Sequence, residues 1–211
     1  MQIYNGVSQK DENITLIFGG FSAHPTHFLP FFPKNSIILY HYTHLDFTAL
    51  LEILHRLQNC KITLIAFSMG VFVARVFLEQ YAIPLQRKIA INGTEYGIHA
   101  QYGIPLKFFK LTLKTFNLEA FKRNLFGEFL EQARDFVFLD SAILRAELAF
   151  FIDTCAQYPM QDLTQNRHWD CAIISKNDLI FNPHAQQAFW SGKTEIILLD
   201  APHFTFFQWN P

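Results

Sequence analysis

Charge is scarce in this chain. Lysine, arginine, aspartate and glutamate make up 17% of its 211 residues, and the formal net charge is −1. That excludes a globally basic nucleic-acid binder, although local basic patches stay open. Cysteine is sparse as well. Cys60, Cys155 and Cys171 form no C-x-x-C pair and leave an odd thiol over, the usage expected of reduced structural thiols in the cytosol rather than of a disulfide framework. No apolar run reaches the roughly 18 residues of a membrane-spanning helix. The opening MQIYNGVSQKDEN lacks a basic segment followed by an apolar one, so no secretory signal is expected. Metal-ligand spacings such as H-E-x-x-H are missing, as are both phosphate-loop spacings. A soluble cytoplasmic protein is expected, with no cofactor or metal and neither nucleic acid nor membrane as partner.

What is abundant is apolar. Half the residues are hydrophobic and 24 are phenylalanine, which rules out a disordered chain. The phenylalanines fit a packed core, a greasy pocket or compositional drift equally well. The length suits one domain with a substantial core. Short β-branched runs alternate with helical patterns, the mark of βαβ units and a mainly parallel sheet. Strands are predicted at Ile14–Phe18, Ser36–Tyr40, Lys61–Ala66, Arg87–Asn92, Asp170–Ser175 and Glu195–Leu199. Helices are predicted at Phe47–Gln58 with Asp46 as N-cap, from Ser68 to near Tyr81, and at Pro183–Trp190. The long interval between Asn92 and Asp170 breaks the alternation. It carries helical patterns at Leu106–Thr115, Leu118–Phe126, Glu128–Phe136 and Ser141–Cys155. We read it as a helical lid, at about 96–168, inserted over the carboxyl edge of the strands, where ligands bind in open α/β sheets. Ordinary packing helices are the alternative.

The most informative stretch is ITLIAFSMGVFVARVFLEQY, residues 62–81. A buried strand breaks at Ala66-Phe67-Ser68-Met69-Gly70 and resumes as a helix, the context in which G-x-S-x-G sets a nucleophilic serine on a strained elbow of an α/β-hydrolase sheet. Small residues two before and two after the serine let strand and helix backbones approach; Ala66 stands where glycine is usual. Alone, Ser68 would more often be a helix N-cap. A serine hydroxyl needs a base, usually histidine, and the base a carboxylate that orients it. His203 follows the last predicted strand after Ala201-Pro202 and meets the hydrolase chain order Ser, acid, His. Of the other histidines, His24, His27 and His99 lie in loops and His55 on a helix. Asp178, past the penultimate strand, is the favoured acid; Glu95, past Lys88–Asn92, is its rival. The oxyanion donors are expected to be the backbone N–H groups of Met69 and of Phe21, the latter in the Gly19-Gly20-Phe21 loop after an early strand.

With these residues placed, the chain resembles the BioG-type esterases of biotin synthesis. The resemblance rests on Phe18-Gly19-Gly20-Phe21, Phe67-Ser68-Met69-Gly70-Val71, Ala90-Ile91-Asn92-Gly93-Thr94, Gly103-Ile104-Pro105, Asn177-Asp178-Leu179-Ile180-Phe181-Asn182-Pro183 and Pro202-His203-Phe204. These lie in order over almost the whole length; Phe21 departs from the tryptophan common there. The resemblance implies a serine esterase that demethylates pimeloyl-acyl-carrier-protein methyl ester, with acyl carrier protein as partner. Lys107, Lys110, Lys114, Lys122 and Arg123 face a single acid, Glu119, in that interval. Lys107, Lys110 and Lys114 share a helix face, suited to steer an acidic carrier protein, or simply a solvated surface. A general short-chain carboxylesterase or acyl thioesterase on the same triad is the second reading. A non-catalytic hydrolase-fold binding protein is the third.

Overall fold

The computed structural model describes residues 1–8, 12–57, 59–160 and 168–209. Its centre is a seven-stranded sheet of β1 (Gln2–Asn5), β2 (Asn13–Phe18), β3 (Ser36–Tyr40), β4 (Lys61–Phe67), β5 (Arg87–Ile91), β6 (Cys171–Ser175) and β7 (Glu195–Leu199). Their spatial order is β1-β3-β2-β4-β5-β6-β7. β1 runs antiparallel to β3, and every other pairing is parallel. The six expected strands are present within a residue or so. β1 was not foreseen: QIYN is a short half-exposed edge strand without the buried β-branched run that marks its neighbours.

Strand residues alternate between two cores, as the two-residue period of a strand demands. Leu16, Phe18, Leu64 and Ala66 face one core, while Ile17, Ile65 and Phe67 face the other. Both faces are covered, so the strands read as continuous apolar runs rather than as alternation. On the first face lie α2 (Thr48–His55), α3 (Met69–Gln80) and α7 (Pro183–Trp190). The expected N-cap is displaced by one residue: α2 starts at Thr48, so Phe47 holds the cap position without a side-chain cap bond, and Asp46 before it accepts the Thr48 N–H at 2.9 Å. The expected end of that helix at Gln58 falls outside the described residues. The second face is largely aromatic. Phe28 of α1 (Pro25–Phe28) and Phe206 of a C-terminal 3-10 turn (Thr205–Phe207) meet edge to face at 5.4 Å.

Between β5 and β6 stand α4 (Leu106–Thr115), α5 (Leu118–Phe126) and α6 (Ser141–Gln157), close to expectation. The predicted helix at Glu128–Phe136 does not form. That stretch holds only a 3-10 turn at Gly127–Phe129 followed by turns. Gly127, at φ +53°, ends α5, and packing then overrides helical propensity: Phe129 and Phe136 stack on Phe207 at 5.4 and 5.9 Å. Among the described residues no helix is long and apolar enough to cross a membrane.

His27 ties this region to the sheet, its buried Nε2–H donating to the Val137 carbonyl at 2.7 Å. Burial pushes its pKa down to about 3, against a smaller opposing effect of that hydrogen bond. Its folded pKa lies below the unfolded value, so the unfolded chain binds the extra proton and stability falls as pH drops from about 6.5 toward 3. The loss is on the order of a few kcal/mol. Urea midpoints at pH 7 and pH 4 should fall apart in the native chain, and the gap should narrow in His27→Gln.

Candidate active site

Gly20 and Ser68 come together because β2 and β4 are neighbours. The chain leaves β2 for β3 on one side and returns to β4 on the other, so the carboxyl ends of β2 and β4 flank a crevice of the kind where α/β sheets bind ligands. Phe18 pairs with Ala66, which carries Gly19-Gly20-Phe21 alongside Ser68. A methyl group built on Gly20 would sit 2.8 Å from Ser68 Cβ. Ser68 alone links β4 to α3, at φ +57° and ψ −125°, a sparsely allowed conformation for a side-chain-bearing residue. Its N–H donates to the Ile91 carbonyl at 2.8 Å, so β5 holds it from below. Gly70 is the condition for this turn: a Cβ there would lie 2.1 Å from the Phe18 carbonyl oxygen and 2.5 Å from that of Gly19.

Ser68 does not cap α3; its side chain makes no cap hydrogen bond. Its Oγ lies 2.9 Å from Nε2 of His203 instead, and His203 Nδ1 lies 2.7 Å from Asp178 Oδ2. The carboxylate can only accept, which puts the imidazole proton on Nδ1 and leaves Nε2 to accept the Ser68 O–H. All three side chains are buried. Asp178 is held independently of the histidine: its Oδ1 accepts the Ile180 and Phe181 N–H groups, both at 2.8 Å. Its rival Glu95 is engaged elsewhere, accepting the indole N–H of Trp169 at 2.9 Å. His24, His27 and His99 bond locally or to the backbone, and His55 is exposed on α2.

Met69 opens α3, where a helical N–H has no intrahelical acceptor. Phe21 lies at the same sheet edge, and both line a cavity of about 920 Å³ with Ser68, His203 and Asp178. Apolar walls come from Phe109 of α4, Phe121 of α5, Leu148 of α6 and Ile180. The only charged side chain among the described lining residues is Asp178. Lys107, Lys110 and Lys114 are exposed on the opposite face of α4 from Phe109 and Thr112, which face the cavity. Arg123 is exposed, whereas Lys122 is partly covered, pairing with Glu119 at 2.9 Å and lying over the Phe138 ring.

Residues 2–210 match the family profile described as Pimeloyl-ACP methyl esterase BioG. The chain belongs to the BioG family. Its structure is similar to that of BioG from Haemophilus influenzae, with a TM-score of 0.85 at 27% identity over 100% of this chain and 97% of that one. MGS-M2, an alpha/beta hydrolase from a Medee basin deep-sea metagenome library, has a TM-score of 0.60 at 15% identity and covers 98% of this chain and 88% of its own. That likeness marks the fold as an α/β hydrolase. Among curated proteins, a malonyl-[acyl-carrier protein] O-methyltransferase from Bacteroides fragilis is 32% identical over 201 residues. The match takes in 90% of this chain but 39% of that protein, so the chain spans well under half its length.

Two supports of this BioG site escaped the reading of the sequence as site residues. Asn92, at φ +49°, donates to the His203 carbonyl at 2.6 Å and to Ser175 Oγ at 2.8 Å, and accepts the Ser175 N–H at 2.7 Å. It joins the ends of β5 and β6 to the histidine loop. Its I-N-G-T motif had marked it only as a family feature. Gln186 of α7 donates to Asp178 Oδ2 at 3.2 Å and to the Phe181 carbonyl at 2.8 Å; nothing in the sequence pointed to it.

Asp178→Asn is informative because Oδ1 is already fixed by two backbone donors. The new amide then faces His203 Nδ1, turns it into an acceptor and moves the ring proton to Nε2, where it blocks Ser68. The expected result is a fall in kcat on p-nitrophenyl butyrate of about 10⁴. A loss under tenfold would remove Asp178 from this role.

Proposed function

We propose that the chain is a serine carboxylesterase hydrolysing the methyl ester of pimeloyl-acyl-carrier protein in biotin biosynthesis. In this reading residues 1–211 form one α/β-hydrolase domain, and the helical insertion at about 96–168 is a lid over the site. The observation that carries it is the hydrogen-bonded row Ser68–His203–Asp178 opening into a largely apolar cavity, in a chain of the BioG family.

Ser68 Oγ attacks the ester carbonyl while His203 Nε2 takes its proton. The oxyanion forms against the N–H groups of Met69 and Phe21, and Asp178 stabilises the imidazolium. Collapse breaks the bond to the methoxy oxygen, which leaves as methanol with the proton from Nε2. Water, deprotonated by His203, then attacks the acyl-enzyme; the C–Oγ bond breaks and Ser68 recovers its proton. The absence of any lysine or arginine among the described lining residues supports a neutral ester as the group bound. The free carboxylate product finds no cation there to retain it.

Acyl carrier protein is the proposed partner, attracted by Lys107, Lys110 and Lys114 on the outward face of α4. Exposed Phe108, also on α4, and Leu179 lie at the cavity mouth, where an acyl chain and its linker to the carrier would enter.

Purified protein should release methanol from pimeloyl-acyl-carrier-protein methyl ester, and Ser68→Ala should abolish it. Activity on p-nitrophenyl esters alone would keep the chemistry and discard the substrate. Lys107→Glu with Lys110→Glu should raise KM for the carrier-bound ester and leave small-ester hydrolysis unchanged. Equal losses on both would remove the carrier-docking role.

A further inference from the structure

Glu147, on α6, is the one fully buried acidic side chain among the described residues that the proposed reaction does not use. Its Oε2 accepts the Ser22 N–H at 3.1 Å and its Oε1 accepts the Tyr42 N–H at 2.8 Å. Among the described residues no lysine or arginine pairs with it. Burial pushes its pKa up to about 7, the bonds from Tyr42 and Ser22 and the positive charge of the N-terminus pulling the other way. A buried carboxylate with no lysine or arginine beside it is costly, so its acceptors should serve something that an apolar residue could not.

The group it grips is the oxyanion loop. Gly20, Phe21, Ser22 and Ala23 form a turn closed by a long hydrogen bond, Ala23 N–H to the Gly20 carbonyl at 3.3 Å. Ser22, third in this turn, holds φ at +64°, a position where glycine is usual and a side chain adds strain. The turn barely closes itself, so its conformation depends on outside support. Glu147 supplies it at Ser22. It also fixes Tyr42, whose hydroxyl donates to the Gly19 carbonyl at 3.0 Å. One carboxylate thus braces the loop on both sides of Phe21.

We propose that Glu147 is a positioning residue that locks the Phe21–Ser22 peptide, and with it the preceding Phe21 N–H, into the orientation that receives the oxyanion, coupling α6 to the chemistry at Ser68. This rests on the reading of Phe21 as an oxyanion donor. If the turn relaxes, the ester still binds, but one of two donors is misaimed when charge develops. The loss should therefore fall on kcat and not on KM.

Glu147→Gln keeps the shape but offers one acceptor where the carboxylate offers two. On p-nitrophenyl butyrate it should lower kcat about tenfold, less than the 10²–10³ of outright donor loss, with KM within about twofold. A trifluoromethyl ketone that adds to Ser68 forms the same oxyanion, so its Ki should rise by the factor by which kcat/KM falls. Ser22→Gly in the Glu147→Gln background, which relieves the positive φ, should restore part of the lost kcat. Should Glu147→Gln not fold, Glu147→Asp, with shortened reach, carries the same expectations. An unchanged kcat, an unchanged Ki, or a loss matched by fewer phosphonate-titratable serines would overturn the proposal. If the ketone fails to bind the native enzyme, the oxyanion reading itself falls.

Discussion

Ser68 sits between strand and helix at a backbone angle that costs a residue with a side chain about 1–3 kcal/mol, and no local feature of the chain relieves it. What holds it is contact between sheet and helix at their closest approach. The Ile91 carbonyl takes its N–H, and the carbonyls of Phe18 and Gly19 lie against the bare Gly70 Cα, where a methyl group has no room. The strain is therefore sustained by β2, β4 and β5 together. Because α3 is pressed so tightly on β2, Gly20 lies against Ser68 and both Phe21 and Met69 line the cavity above it. The geometry that strains the serine is also the geometry that would receive the charge it creates.

Around this elbow two of the buried carboxylates, Asp178 and Glu147, have opposite surroundings. Asp178 has two backbone N–H groups, a glutamine amide and His203, which fix both of its oxygens. Glu147 has two backbone N–H groups and no side-chain donor among the described residues, and burial raises its pKa. Both accept backbone N–H groups and so set backbone geometry. In the proposed reaction the first orients the base and the second braces the donor loop.

Much of the central sheet was legible in advance, since buried parallel strands must be short β-branched runs bounded by turns. Ser68, Asp178 and His203 were legible through chain order and strand ends, which place all three at one edge whatever the loops do. The sequence favoured Asp178 over Glu95 although both follow strands; what it could not show is that Glu95 serves Trp169. Asn92 and Glu147 reach partners 83 to 125 residues away in sequence. No periodicity or spacing encodes such pairs. The helix expected at Glu128–Phe136 failed for a related reason: its aromatics are committed to Phe207, a contact that lies beyond any local pattern.

The placement of charge separates what the cavity should hold from what should carry it there. Lysines on the outward face of α4 and their absence from the described cavity lining are two sides of one helix. A cation inside would attract the free carboxylate end of a diacid and favour product over ester. Placed outside, the same charges would act on the proposed acidic carrier within a Debye length of about 8 Å at physiological salt, while only its neutral ester end would enter. The phenylalanines divide along the same line. Phe109, Phe116 and Phe121 make the cavity apolar, whereas Phe204 and Phe206 pack on Phe67, the ring that lies against His203. An apolar interior with basic charge on the outside favours a ligand that is neutral at its reacting end and anionic at its carrier, the polarity of a methyl-capped diacid tethered to an acidic protein.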